Sequence, residues 1–155
     1  MSPTVLTLRW FEPVLPAGVA VLAEAARLEG YNHLTRFQKE WEMGVRFDGP
    51  GECLFVARDD AALVGIAGIS SDPYIGVPSV GRLRHVYVAQ GHRRAGIATQ
   101  LVKECLATAG EHFALIRLRT SSLNPSAARV YERVGFVATT QPDSTHLLVP
   151  TRSSN

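Results

Sequence analysis

The run Val86-Tyr87-Val88-Ala89-Gln90-Gly91-His92-Arg93-Arg94-Ala95-Gly96-Ile97-Ala98-Thr99 constrains this chain more than any other segment. Its β-branched and aromatic start predicts a buried strand. The glycines and cations that follow predict a turn, and the small and aliphatic residues after Gly96 open a helix. The first N–H groups of any helix have no internal partner. They also stand at the positive end of the helix dipole. A strand that turns sharply into a helix therefore presents an anion site. Gly96 and Ala98 are small enough to let a diphosphate reach the backbone, and Arg93 and Arg94 bring formal charge.

Charge distribution agrees with an anionic ligand. The formal net charge is only +2, too small to imply a nucleic-acid or membrane surface. From Pro73 to Lys103, however, there is no Asp or Glu, while Arg82, Arg84, Arg93, Arg94 and Lys103 all fall there. The local excess of cations coincides with the turn.

The rest of the chain places that turn in a single domain. At 155 residues, 46% of them hydrophobic and 19% charged, the composition is that of a globular chain with one core. We assign residues 1–150 to the domain and residues 151–155 to a polar, frayed tail. Strands are expected at residues 5–11, 54–57, 63–69, 82–89, 113–120, 136–139 and 145–149. Helices are expected at residues 17–28, 33–47, 96–109 and 125–134, the last with Asn124 as its cap and Pro125 in its first turn. In the second helix Leu34, Phe37, Trp41 and Val45 recur at helical spacing and form one apolar face. Arg36 and Glu40, four apart, can pair on its surface. In the fourth strand, alternation places Arg82 and Arg84 with Val86, and Leu83, His85 and Tyr87 on the other face. The order is a strand, two helices, three strands, a helix, a strand, a helix and two strands. It predicts an α/β fold with a mixed sheet and a right-handed crossover from the fourth strand to the fifth.

No segment reaches the roughly 20 continuous apolar residues that cross a bilayer. Two cysteines, Cys53 and Cys105, suit neither a zinc site nor a disulfide framework. Without a secretory signal, the cytoplasm is the expected setting.

Two familiar phosphate loops are excluded. Gly91 and Gly96 have the separation of a nucleotide-triphosphate loop, but Ile97 and Ala98 replace its lysine and hydroxyl. The three-glycine pattern of a dinucleotide fold is absent. What stands here, Arg93-x-x-Gly96-x-Ala98, resembles the R/Q-x-x-G-x-G/A signature of the GNAT superfamily of acyl-CoA-dependent N-acyltransferases. A second run, Asn124-Pro125-Ser126-Ala127-Ala128-Arg129-Val130-Tyr131-Glu132-Arg133-Val134-Gly135-Phe136, resembles that superfamily's N-x-x-A-x-x-x-Y-x-x-x-G-F. The second follows the first by one helix and one strand. The resemblance is strong from about residue 50 to 140 and rests elsewhere on element order.

The resemblance implies a mixed, mostly antiparallel sheet of six to seven strands flanked by about four helices, with the fourth and fifth strands splayed apart. It implies acetyl-CoA as co-substrate, an amine as acceptor and no metal. The backbone of Val86, Tyr87 and Val88 would pair with the pantetheine amides as a strand does. Arg93, Arg94, Ala95, Gly96, Ile97, Ala98 and Thr99 would hold the diphosphate. Asn124 would cap its helix or bond the pantetheine arm. Tyr131 lies two helical turns beyond Asn124 on the same side, and would protonate the departing thiolate, its phenol having an ordinary pKa of about 10.

Acyl transfer to an amine also needs a proton acceptor and a donor to polarise the carbonyl. A backbone N–H near Val88 could do the second. Many relatives carry a carboxylate on the fourth strand as base, and this chain has none there. His85 is that strand's only side chain of suitable pKa. Glu52, Asp72, Tyr74 and a water chain are further candidates. Neither cysteine lies beside an activating His, which favours direct transfer over an acyl-cysteine. The missing base leaves room for another reading, a non-catalytic acyl-CoA-binding sensor or partner-binding module. An RNA-directed acetyltransferase is a third reading, weakened by the modest net charge. The acceptor, sited near the first two helices and the loop at residues 70–79, is not identified by any acidic run. A homodimer remains open.

Overall fold

The structure is a computed structural model that describes residues 5–121 and 124–150; the expected polar tail lies outside them. The elements follow the expected order: β1 (Val5–Arg9), α1 (Val19–Leu28), α2 (His33–Glu42), β2 (Cys53–Asp59), β3 (Ala62–Ser71), β4 (Val80–Val88), α3 (Ile97–Ala109), β5 (Leu115–Leu118), α4 (Pro125–Arg133), β6 (Val137–Ala138) and β7 (His146–Leu148). They form one seven-stranded sheet in the order β1-β2-β3-β4-β5-β7-β6. Every neighbouring pair is antiparallel except β4 and β5. No helix among the described residues is long and apolar enough to cross a membrane.

Both faces of the sheet are covered, so its central strands are apolar on both sides. In β2 the alternation is clean. Cys53, Phe55 and Ala57 pack towards α3 and α4 with Leu101, Val102 and Tyr131. Leu54 and Val56 pack towards α1 and α2 with Leu22, Leu34 and Phe37.

Helix ends follow the glycines. Gly30, Gly44 and Gly135 all have positive φ. After α2, Gly44 N–H donates to Trp41 O (3.0 Å) and Val45 N–H to Glu40 O (2.9 Å), the paired bonds of a left-handed helix stop. This ends α2 at Glu42 rather than at residue 47. Val45, expected on the apolar face, is consequently exposed, and Phe47 turns back into the core. Gly30 and Gly135 end α1 and α4 by the same pair of bonds.

Strand β4 departs from simple alternation, and this shapes the site. Arg84 faces Gly68 and Tyr87 faces Ile66, so Ala67 alone stands opposite two residues. The extra residue is a β-bulge at His85, whose φ is +62°. The bulge reverses the facing of everything after it. Leu83 therefore shares the α3–α4 side with Val86 and Val88. Arg84 and His85 both reach Glu40 on α2, and Tyr87 packs on the α1–α2 side. The expected grouping of Arg84 with Val86, and of Leu83 with His85, is thus incorrect. Glu40 also bonds Arg84 Nη2 through both oxygens (2.8 and 2.8 Å), not Arg36.

Strands β4 and β5 pair only at Val80–Leu115, Gly81–Ile116 and Arg82–Arg117. Beyond Arg82 they diverge. The edge of β4 from Leu83 to Val88 that faces β5 therefore carries no strand partner among the described residues, and a cavity opens beside it.

Candidate active site

The cavity has a volume of about 780 Å3 and is bounded by β4, the β4–α3 turn and α4. Of the twelve residues expected at the coenzyme site, the proton donor Tyr131 included, eleven line it: Val86, Tyr87, Val88, Arg93, Arg94, Gly96, Ile97, Ala98, Thr99, Asn124 and Tyr131. Ala95 does not. The wall also includes Tyr31, His33, His92, Ser126, Ala127, Arg129, Val130 and Arg133. Of these, the α4 residues were not singled out in the sequence, although they fall within the second motif. Ala127 shares the helical side of Asn124 and Tyr131, whereas Ser126, Arg129 and Arg133 stand on another side of α4.

The turn has the form an anion site requires. A short 3-10 segment at Gln90–His92 leads through Arg94 (φ +67°) to Gly96 (φ +78°), the N-cap of α3. Among the described residues no side chain caps α3, and its first turn holds no acid. Its initial N–H groups are thus left for a ligand. A Cβ added at Gly96 would meet no atom within 4 Å. The backbone there is open to a bulky group, so the residues present fit a coenzyme diphosphate.

Arg93 is differently placed from the sequence expectation. Its guanidinium pairs with both Glu29 oxygens (2.8 and 2.6 Å), and its Nε donates to Val88 O (2.9 Å). The group also lies 5.4 Å from the Tyr87 ring centroid. Glu29, just past the end of α1, accepts from the Tyr87 hydroxyl as well. Bonding to Arg93 holds the Glu29 carboxyl below its ordinary range. Burial, followed by the Glu29 contact, raises the Tyr87 phenol to about 12. Arg93 therefore ties α1, β4 and the turn together with its charge compensated. No ion pair engages Arg94, Arg129 or Arg133 among the described residues.

Tyr131 is buried in the opposite wall, edge-on to Phe136 with centroids 6.2 Å apart. Burial raises its phenol pKa, which keeps the proton on at neutral pH. Asn124 Oδ1 accepts from Ala127 N–H (3.2 Å), so its capping role is realised.

The expected base candidates do not line the cavity. His85 lies between Phe37 and Phe47, with ring centroids 4.8 and 5.9 Å away. Neither of its ring nitrogens has a hydrogen-bond partner among the described residues. Its Nε2 is 3.5 Å from Glu40 Oε1, and burial lowers its pKa, leaving it neutral. Glu52 accepts from the N–H groups of Gly49 (3.0 Å) and Ser71 (2.8 Å). Asp72 is buried between Arg82 and Arg117, and Tyr74 lies over the Arg82 guanidinium. His33, which opens α2, does line the cavity. Its ring packs 6.0 Å from that of Tyr87. Burial, followed by the neighbouring His85 and Arg36, lowers its pKa to about 4.

Two motifs in one cavity, on a sheet splayed between β4 and β5, define the family. The model of the acetyltransferase (GNAT) family matches residues 17–136. The chain belongs to the GNAT acetyltransferase family. Human N-acetyltransferase 8 is 33% identical over 94 residues, which are 59% of this chain and 41% of that protein. The chain thus matches about two fifths of the length of this relative. Among solved structures, a protein of Exiguobacterium sp. 255-15 superposes with a TM-score of 0.80 at 24% identity, covering 94% of this chain and 93% of the other. YncA of Salmonella typhimurium, solved with its cofactor acetyl-CoA, has a TM-score of 0.72 at 13% identity, covering 97% and 96%. Such identities speak for the GNAT fold, which the seven-stranded sheet displays.

Proposed function

We propose that this GNAT domain binds acetyl-CoA and transfers its acetyl group directly to a primary amine of a small molecule or protein. One observation carries the reading. The uncapped start of α3, the free edge of β4 and the Tyr131 phenol all open into the same cavity. The first suits a diphosphate and the second the amides of a pantetheine arm. The third keeps its proton at neutral pH, as a donor to a departing thiolate must.

In this mechanism the neutral amine attacks the thioester carbonyl, forming a C–N bond as the C–S bond breaks. Val86 and Val88 present backbone groups to the pantetheine, and a backbone N–H near Val88 polarises the carbonyl. Tyr131 donates its proton to the departing sulfur. No carboxylate lines the cavity among the described residues. Proton acceptance therefore falls to an imidazole at the wall, His33 or His92, or to water that carries the proton on to solvent. A reducing, cytoplasmic setting is consistent with Cys53 and Cys105, both free and buried.

Calorimetry tests the first half of the reading: acetyl-CoA binds, and an absence of binding at millimolar ligand rejects it. An amine library read by release of free thiol tests the second. Tyr131→Phe should lower kcat about 100-fold, the scale of a lost general acid, while leaving the acetyl-CoA Kd within about twofold. Unchanged kcat would remove Tyr131 from the chemistry. The cavity without a carboxylate also favours a second reading, an acyl-CoA-binding module. Tight acetyl-CoA binding with no thiol release across the library would establish that one instead.

A further inference from the structure

One face of α4 is charged in a way the acyl-transfer chemistry does not use. Arg129 and Arg133 stand one helical turn apart and both line the cavity. Glu132, their acidic neighbour in sequence, turns away and meets His146 Nε2 at 3.0 Å. Neither arginine has an ion-pair partner among the described residues. Arg94, across the cavity, is equally uncompensated, whereas Glu29 neutralises Arg93. The wall thus holds three free guanidinium groups and no acid among its described residues. A concave surface with cations of one sign concentrates anions. Guanidinium groups in particular match phosphate oxygens geometrically.

The turn cannot account for all this charge. The α3 amides and Arg94 already answer a diphosphate, which bridges two groups and carries one charge on each phosphorus. Coenzyme A bears a third phosphoryl group, the monoester on its ribose 3′ oxygen. A phosphate monoester is close to a dianion at neutral pH, because its second pKa is about 6. Dianions call for paired cations, and α4 presents two at helical spacing, with the Ser126 hydroxyl on the same wall.

We propose that Arg129 and Arg133 form a second anion site that recognises the ribose 3′-phosphate of the coenzyme, and so select coenzyme A over its 3′-dephospho form. The proposal rests on the acetyl-CoA reading above. It assigns the two arginines a role in choosing the donor and none in the chemical step.

Calorimetry with coenzyme A and 3′-dephospho-coenzyme A separates the two ideas. The unmodified protein should bind coenzyme A at least about tenfold more tightly than the dephospho form, a modest value for exposed charges. Arg129→Gln with Arg133→Gln should erase that preference. Its affinity for coenzyme A should fall about tenfold or more while its affinity for the dephospho form changes less than about twofold. Arg94→Gln, beside the turn, should weaken both ligands alike. Both arginines are exposed, and near-ultraviolet circular dichroism of the double variant should match that of the parent. Equal losses for the two ligands would overturn the proposal by assigning the pair to the diphosphate, as would no loss for either. If the dephospho form binds the parent well and with equal affinity, the selectivity is wrong and the acetyl-CoA reading stands. Failure of the parent to bind either ligand overturns both.

Discussion

Replacing Asp72 with Asn should destabilise the domain by about 3–5 kcal/mol, the usual consequence of leaving buried charges without their counter-ion. Asp72 is 1% exposed and sits where β3 hands the chain to the loop before β4. Its Oδ2 accepts from Arg82 Nη1 (3.2 Å) and Arg117 Nε (3.0 Å). Its Oδ1 accepts from the N–H groups of Tyr74 (2.8 Å) and Ile75 (3.3 Å). Asn retains the Oδ1 contacts and so keeps the turn. It removes the negative charge and aims an NH2 group at two guanidinium donors. Arg82 retains one bond, from Nη2 to Asp143 O (2.6 Å), but Arg117 already has an Nη2 with no partner.

Against the roughly 5–15 kcal/mol that holds an ordinary domain together, such a loss is a large share. Urea unfolding monitored by fluorescence should show a lower midpoint with an unchanged slope, since the surface exposed on unfolding stays the same. Adding Arg117→Met should restore part of the loss by removing the stranded charge. Arg82 and Arg117 are also the last paired residues before β4 and β5 diverge. The Asp72 cluster thus anchors the base of the splay, and folded Asp72→Asn protein should bind acetyl-CoA more weakly. A loss below about 1 kcal/mol, within the range of a surface ion pair, would refute the argument.

Two further outcomes test other parts of the structure. Gly96→Ala places a Cβ at φ +78° where it meets no atom. Stability should fall by only about 1–2 kcal/mol, while acetyl-CoA affinity falls at least about tenfold because the methyl blocks approach to the α3 amides. Unchanged affinity in calorimetry would show that the ligand does not contact this turn. The acid side of the stability profile should be steep from pH 6.5 downward. His33 has its pKa lowered from 6.5 to about 4 amid Tyr31, Tyr87, His85 and Arg36, so the unfolded chain takes up a proton that the folded one refuses. Its contribution is complete above pH 6.5 and is lost as the pH falls towards 4, about 1–2 kcal/mol by pH 5. Buried His85 adds in the same direction. Glu40, held down at about 2 by His85 and then Arg84, acts lower, its contribution being present above 4.5 and lost towards pH 2. Urea unfolding at stepped pH should show His33→Gln to be less sensitive between pH 6.5 and 4; an identical slope would contradict the His33 assignment.

Local chemistry made much of this protein readable from its residues in order. Apolar periodicity placed the elements. Glycines that favour positive φ marked the ends of α1 and α4, and Gly44 carried the signal for the early end of α2. Asn124 capped α4 as its type predicts. The two family motifs brought eleven coenzyme-binding candidates to one cavity, because each motif is a short segment whose backbone conformation its own residues dictate. Other features depended on contacts between distant parts of the chain. Arg93 meets Glu29 across 64 residues, and Glu40 chooses Arg84 across 44 rather than Arg36 one helical turn away. The bulge at His85 arises from how β4 registers on β3, and it moves that imidazole behind a layer of aromatic rings. Helix and turn conformations cost little to specify locally, whereas partner choice among charges is decided by which side chains the packed sheet brings within bonding distance and shields from water. That is why the turn and its uncapped helix start were visible in the sequence and the compensation of Arg93 was not.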